Sequence, residues 1–282
     1  MQIHPLAVVH PSAELGRDVA IGPFSIVERG VTIGDGCTLE SHVVIKQGVT
    51  LGPANHLFEG AVVGGLPQHL RMPERIGTVM IGAHNTIREH VTIHRALHDH
   101  ESTTVGDGNL LMAGAHIAHD CRVGSNAIFA NNALLAGHVL VEDRAYLSGN
   151  VAVHQFCRVG CFAMVGGLAR VVKDVPPYVT IDGSSGYVVG LNTIGLRRNG
   201  FSNEEIAQLK GAYRLIYRSG LKWTQVLARL KAEFASGPAA RFAEFFAGGT
   251  RGIVPERRIP PAATLKLPEE AHEEHGLRVK AG

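Results

Sequence analysis

Cysteine is scarce in this 282-residue chain and follows no pattern: Cys37, Cys121, Cys157 and Cys161 form neither a CxxC pair nor a metal-ligand spacing. Cys121 and Cys157 are 36 residues apart. In the repeat described below that separation is two turns, about 9 to 10 Å at strand spacing, which exceeds disulfide reach. No apolar run approaches membrane-spanning length, and Met1 to Ser12 has neither a basic leader region nor an apolar one, so the expected setting is reducing and cytoplasmic. Charge of one sign is also missing, with 27 Lys and Arg against 25 Asp and Glu, and no nucleic-acid partner is expected. Positive charge is in excess only locally, twelve against five between Arg197 and Arg258. That excess fits either a dock for an acidic macromolecule or an ordinary solvated helical face.

What the chain does have is a six-residue period. From Val9 to Val171 in steps of six, 25 of 28 positions are aliphatic or phenylalanine, the exceptions being His69, Arg75 and Asp99; a composition 45% hydrophobic gives about thirteen by chance. Ten of these rungs are followed at once by glycine, as in Ile21-Gly22 and Val159-Gly160. Six residues are too few for an amphipathic helix and too many for plain alternation, but they fit one short strand and one corner. Three such sides close a coil of about eighteen residues, with the aliphatics stacked in a narrow interior. Solenoids of this kind resemble the left-handed parallel β-helix, and the hand is implied by that resemblance, against the usual right-handed crossover.

The fold class expected is mainly β: a hexapeptide-repeat left-handed β-helix over residues 1–195, then a small C-terminal α-helical domain over 196–252 and a flexible tail over 253–282. The ruler is interrupted without loss of phase near 66–79 and 96–104, which predicts two extruded loops. Regular coils are expected to stop near Asp174-Val175-Pro176-Pro177-Tyr178, where paired prolines cannot donate, with a Gly/Ser-rich linker running to about Gly195. Ser202-Asn203-Glu204-Glu205 reads as a capping box opening a helix with a basic stripe at Lys210, Arg214 and Arg218. Two more helices are expected near Thr224–Phe234 and Ala239–Ala247.

Residues eighteen apart are neighbours on successive coils. His119 therefore lies under Gly137, which lies under Gln155; Asp120 lies under His138; and His154 sits in the adjoining column. His119, Asp120, His138, His154 and Gln155 thus share one edge of three coils about 5 Å apart, with His116 one short side away. An imidazole beside a carboxylate can take up a proton near neutral pH. The same histidines leave a rival open, a zinc site built on His116, His119 and a third histidine, as in the gamma-class carbonic anhydrases that this solenoid also resembles.

Local sequence goes further. The segments Asn109-Leu110-Leu111-Met112, His116-Ile117-Ala118-His119-Asp120-Cys121, Ala130-Asn131-Asn132-Ala133, Ala136-Gly137-His138-Val139, Val153-His154-Gln155-Phe156-Cys157 and Asp174-Val175-Pro176-Pro177-Tyr178-Val179 resemble the acyl-carrier-protein-dependent UDP-N-acetylglucosamine O-acyltransferases that begin lipid A synthesis. The likeness continues through Gly200-Phe201-Ser202 and Leu215-Ile216-Tyr217-Arg218-Ser219-Gly220, and so spans roughly residues 5 to 252. It implies His119 as general base for the glucosamine 3-hydroxyl, Asp120 as its orienting partner and the Gly137 N–H as oxyanion donor. His116, His138, His154 and Gln155 are implied as sugar and diphosphate contacts, Gln68 and Arg71 as loop contacts, and Asn192 and Arg198 as uracil and phosphate contacts. Arg71 stands where the family usually has lysine.

The resemblance further implies direct transfer from acyl carrier protein without a covalent enzyme intermediate, no cofactor, no metal, and a homotrimer with active sites between subunits. Lys210, Arg214 and Arg218 then face the acidic carrier. Ile194 and Asn199 depart from family positions that carry a carboxylate and a second basic residue, which bears on nucleotide binding. Gly167, with Ser185 where a histidine limits the chain, implies a longer 3-hydroxyacyl group. The acceptor is either the 3-hydroxyl sugar nucleotide or its 3-amino analogue, since nothing in the sequence separates them. The later N-acyltransferase of the pathway fits less well, because it carries an N-terminal uridine-binding domain whereas here the ruler begins at Val9. A non-catalytic scaffold is the remaining alternative.

Overall fold

Each six-residue rung buries two side chains, one large and one small. The computed structural model describes residues 1–257. In it a two-residue strand such as Ala20–Ile21 turns and re-enters as Ile26–Val27. Strand alternation sends Ala20 outward and places Val19 and Ile21 inside. Ile21, Val27, Ile33, Leu39, Ile45 and Leu51 are the large inner residues; Val19, Ser25, Val31, Cys37, Val43 and Val49 are the small ones, every one fully buried. Fully burying each large aliphatic contributes about 1.5–3 kcal/mol.

The corner before each small residue takes a left-handed backbone, with φ of 55° at Asp18, 60° at Phe24, 60° at His42 and 54° at Ala54. The N–H of the corner residue is spoken for by the coil before it. Gly36 donates to the Arg17 carbonyl at 2.8 Å, Ala54 to Asp35 at 2.8 Å, Asn132 to Ala113 at 3.0 Å and His138 to His119 at 3.0 Å, each nineteen residues back, while Phe24 reaches Leu6 O at 3.2 Å, eighteen back.

Three sheets of eleven, nine and eight strands form the sides of the prism. Their parallel registers step by eighteen residues, as in Gln2↔Ala20, Val8↔Ile26 and Glu14↔Thr32. Two steps are longer: Val63 pairs with Ile93 and Ile93 with Ile117, separations of 30 and 24 residues. The surplus of twelve and six residues leaves as loops, and strands resume at Thr78 and Ser102. The two loops share one corner, where Gly77 N–H donates to Ala96 O (2.9 Å) and Thr78 N–H to Glu101 O (3.0 Å). A side chain at Gly77 would collide with the carbonyls of Glu101 and His98.

Asparagine takes the small inner position in the three coils that bracket these loops. Asn55, Asn85 and Asn109 are each 1% exposed. Asn55 Oδ1 accepts from the backbone and side-chain amides of Asn85, Asn85 Oδ1 accepts from both amides of Asn109, and Asn109 Oδ1 accepts from Ala127 N–H, all at 2.7–3.0 Å. Asn55 Nδ2 donates to Gly52 O and Gly82 O, so these buried amides have partners.

Parallel stacking continues past Pro176-Pro177, where regular coils were expected to stop. Val175 bridges Val159, and Val165 pairs with Ile181, a step two residues short of the usual eighteen. Pro177 falls in the corner, beside a left-handed Tyr178 (φ 65°), where a missing donor disrupts no strand. The expected linker is also ordered: the strand Val179–Ile181 turns back antiparallel as Val188–Leu191. Helix α1, Thr193–Arg198, then begins under an Asn192 cap whose Oδ1 accepts the Gly195 N–H at 3.0 Å.

Helix α2 (Asn203–Arg218) has the Ser202/Glu205 capping box, followed by α3 (Trp223–Glu233) and α4 (Ala240–Phe246). Their core of Leu196, Leu209, Leu230, Phe242 and Phe245 closes over Tyr178. Residues 253–257, assigned above to a flexible tail, lie against the last coil. Ile253 bridges Asp174, Glu256 bridges Val188, and the Glu256 carboxylate accepts from Tyr213 Oη (2.7 Å) and Arg218 Nη2 (2.6 Å). The remainder of that expected tail lies outside the described residues. Among the described residues no helix is long and apolar enough to cross a membrane.

Candidate active site

The corner at His119-Asp120 brings an imidazole and a carboxylate inside together. His119 is 8% exposed, and its Nδ1 lies 2.6 Å from Asp120 Oδ2. Asp120 takes the left-handed corner conformation (φ 61°). Its carboxylate also accepts the N–H of Leu97, from the second loop, at 3.1 and 3.2 Å, and stands 3.7 Å from His138 Nε2. With Nδ1 engaged, His119 presents Nε2 as its free face. Gly137 lies directly over that face: a Cβ there would sit 2.6 Å from Cε1 and 2.8 Å from Nε2. The Gly137 N–H donates to no group among the described residues.

His138 stacks on Phe156, with ring centroids 4.6 Å apart and an 11° interplanar angle, and burial holds its pKa below the usual histidine value. His69 meets His119 edge-on at 5.7 Å, so the first loop reaches the same place. The sequence reading noticed His69 only as a break in the ruler and passed over Leu97 and Phe156. A polar residue on an apolar rung inside the first loop was the available signal for His69; a backbone donor such as Leu97 leaves none.

His116 Nδ1 lies 2.7 Å from Thr92 Oγ1, and its ring meets His94 edge-on at 4.8 Å. Burial lowers the pKa of His116 and, with the neighbouring imidazoles of His116 and His119 adding to it, takes His94 down to about 4. His94 Nδ1 is buried without a partner among the described residues. An unfolded histidine titrates near 6.5, so between pH 6.5 and 4 the unfolded chain binds the extra proton, and stability falls as pH falls. The expected loss is about 3 kcal/mol across that window. In thermal melts the margin of the wild type over His94→Gln should shrink from pH 6.5 to 4; a margin constant with pH would dismiss this assignment.

Two coils on, His154 and Gln155 are exposed on the same edge, with His154 Nδ1 3.2 Å from Arg251 Nη2. Gln68 and Arg71 are exposed on the first loop, where the Arg71 N–H donates to His69 Nδ1 (3.1 Å). Asn192 is fastened at both ends of its amide, capping α1 and donating to Phe162 O at 2.9 Å. Arg198 and Ile194 are exposed, and Asn199 Oδ1 accepts from Arg144 Nη1 at 2.8 Å, so a cation does reach position 199 from the solenoid. Gly167 is open on the last coils, a Cβ there meeting only Gly149 O at 3.4 Å and Ser148 Cβ at 3.9 Å. Ser185 belongs to the turn whose Gly183 abuts Gly167, and its Oγ donates to Asp182 at 2.6 Å. Lys210, Arg214 and Arg218 are exposed along α2, but Arg218 is engaged by Glu256. A groove of about 480 Å³ between α2 and α3 is lined by Arg214, Arg218, Arg229 and Phe234.

His119, Asp120 and His138 bring three potential ligand atoms within 4.8 Å of one another. The closest two, His119 Nδ1 and Asp120 Oδ2, stand at the 2.6 Å of a shared proton. Two ligands on one tetrahedral zinc lie about 3.3 Å apart. The gathered set also differs from the zinc rival, since His116 turns instead to Thr92 and His94.

The bacterial transferase hexapeptide repeat matches residues 12–47 and 102–137, which places the chain among left-handed β-helical hexapeptide transferases. The second domain of UDP-N-acetylglucosamine O-acyltransferase matches residues 174–254. An acyl-[acyl-carrier-protein]–UDP-N-acetylglucosamine O-acyltransferase of Ectopseudomonas mendocina is 50% identical over 253 residues, 89% of this chain and 98% of its own. One from Janthinobacterium is 46% identical over 258 residues, with the same coverage. Among solved structures, the Bacteroides fragilis UDP-N-acetylglucosamine acyltransferase superposes with a TM-score of 0.85 at 41% identity, over 89% of this chain and 99% of that one. The Francisella novicida enzyme gives 0.88 at 38% identity, over 90% and 94%. The chain belongs to the acyl-carrier-protein-dependent UDP-N-acetylglucosamine O-acyltransferase family.

Proposed function

We propose that this chain transfers a 3-hydroxyacyl group from acyl carrier protein to the glucosamine 3-hydroxyl of UDP-N-acetylglucosamine, the step that begins lipid A biosynthesis. The observation carrying this reading is the buried His119–Asp120 pair beneath the backbone of Gly137. The sugar 3-oxygen attacks the thioester carbonyl while its proton passes to His119 Nε2, and Asp120 stabilises the imidazolium through Nδ1. Negative charge gathers on the former carbonyl oxygen, for which the unengaged Gly137 N–H is a suitable donor. Collapse expels the carrier's thiol, which recovers the proton from His119. Cys121, the nearest thiol in the chain, is fully buried with a pKa pushed up to about 12, which argues against a covalent acyl-cysteine. The reading needs no cofactor and no metal.

His116, His138, His154, Gln155, Gln68 and Arg71 are proposed to hold the sugar and diphosphate, and Asn192 and Arg198 the nucleotide, with Arg144 beside Asn199 supplying a cation. A homotrimer with the site between subunits is supported by the outward face that carries His116. Val8, Ile26 and Leu134 are 62%, 40% and 43% exposed there, an apolar stripe suited to a neighbouring prism. Lys210 and Arg214 suit an acidic carrier protein. The open Gly167 favours a longer chain.

The test is transfer by purified protein from a panel of 3-hydroxyacyl carrier proteins to UDP-N-acetylglucosamine and to its 3-amino analogue, with products weighed by mass spectrometry. O-acylation with the 3-hydroxytetradecanoyl donor ahead of the decanoyl one is expected. N-acylation alone would reassign the acceptor, a decanoyl preference would remove the role given to Gly167, and no transfer to either acceptor would defeat the reading.

A further inference from the structure

We infer that Thr103 is a positioning residue for the base, holding Asp120, and through it His119, in place of a backbone contact that the second loop abolishes. At most corners the left-handed residue donates its N–H to the carbonyl nineteen residues back, as His138 does to His119 and Asn132 to Ala113, whereas at Gly30 a hydroxyl, Ser12 Oγ, takes the N–H at 3.2 Å. For Asp120 the matching carbonyl is that of Glu101, at the end of the second loop. Glu101 O is turned away and accepts instead from Thr78 N–H at 3.0 Å. The Asp120 N–H would then be a stranded donor at the one corner whose side chain orients the base.

Thr103 Oγ1 takes that N–H at 2.8 Å. Thr103 is 0% exposed and occupies a small inner position. Its register partner Val79 and the next below, Val49, are valine, as are Val31 and Val139 in the same column, while Cys121 and Cys157 hold others. Hydrophobic packing therefore gives no reason for a hydroxyl here, and the lost corner gives one. The hydroxyl is anchored by the strand Ser102–Val105, and the Asp120 carboxylate by Leu97 N–H, so both ends of Asp120 are tied to the segment that replaces the corner. A carboxylate free to swing would hold the His119 ring less well without touching substrate.

The inference rests on the reading of His119 as base, and the variants separate the two. Thr103→Val should fold, because valine already fills this column four times. Its kcat is expected to fall about 10- to 100-fold, with KM for the sugar nucleotide within about twofold; Thr103→Ser, which keeps the oxygen, should recover most of the loss. The downfield proton resonance of His119 Nδ1–H, assigned by its absence in His119→Ala, should shift or broaden in Thr103→Val and return in Thr103→Ser. If Thr103→Val keeps wild-type kcat, or if Ser fails to restore both rate and resonance, the inference is overturned. Should Thr103→Val not fold, Thr103→Cys serves in its stead, since cysteine sits at Cys121 and Cys157 and accepts a hydrogen bond only weakly. Full activity in His119→Ala would defeat the base reading alone, leaving the resonance to decide whether Thr103 holds the pair.

Discussion

Replacing His119 with alanine is expected to lower kcat for acyl transfer by about 10²- to 10⁴-fold, with KM for UDP-N-acetylglucosamine little changed. The magnitude follows from what the ring does in the reading above: it takes the 3-hydroxyl proton as the oxygen attacks and returns it to the leaving thiol. Among the described residues the neighbouring imidazoles are otherwise engaged, His69 by the Arg71 backbone at its Nδ1. His138 faces Asp120 at 3.7 Å but is stacked flat on Phe156, and the His116 Nδ1 is occupied by Thr92 Oγ1. The fold should survive, because His119 lies at a corner outside the aliphatic stack. Rates measured on the variant and wild type at saturating donor decide the matter. A variant within about tenfold of wild type would show that the proton leaves by another route.

Gly137→Ala is expected to cost at least about 10²-fold in kcat, although alanine is smaller than most residues that coil corners accept. The backbone at Gly137 is of an ordinary kind, so a methyl group brings no torsional strain, but it would arrive 2.6 Å from His119 Cε1 and 2.8 Å from Nε2. Carbon contacts normally begin near 3.5 Å. Either the ring tilts away from Asp120 or the Gly137 corner withdraws, and each outcome separates the His119 ring, the Gly137 amide and, in the proposed reaction, the acceptor oxygen. Because the collision is with the ring itself, adding Gly137→Ala to His119→Ala should cost much less than it does in wild type, a non-additivity read directly from a double-mutant cycle. Additive losses would mean that the methyl group acts on substrate alone.

Much of the solenoid was legible because its interior repeats: Ile21, Ile33, Leu39 and their successors are both the ruler and the core. A second ruler went unread. The small inner positions hold Val19, Ser25, Cys37, Asn55, Ala61, Thr103 and Ala127, residues that share size and burial but no common polarity, so a search for apolar periodicity passes over them. That column also accounts for Cys37, Cys121 and Cys157, which are small buried side chains, the Sγ of Cys37 and Cys121 directed at the carbonyls of Gly52 and Ala136. Counting by eighteen placed His119 under Gly137 and Asp120 under His138, because the three coils concerned have no insertions. It was blind to Leu97 and His69, which arrive from the loops, and to Thr103, which is in count with Cys121 but shows its role only through the hydroxyl it turns to Asp120. The prolines at 176 and 177 misled for a related reason. A donor is dispensable at a corner, and only the shortened step of that coil, which composition does not reveal, puts Pro177 there.

A stack of coils bound only to its neighbours peels from its ends, one layer after another, since each layer lost exposes the next without disturbing those beyond it. The asparagine spine interrupts that sequence. Freeing Asn55 from Asn85 strands both amides of Asn85, and freeing Asn85 from Asn109 strands the Asn109 N–H, none of which has another partner among the described residues, so the three coils that carry the loops resist coming apart one at a time. Fraying that begins at Met1 therefore has a place to stop, and it stops short of the corner that holds His119 against Asp120.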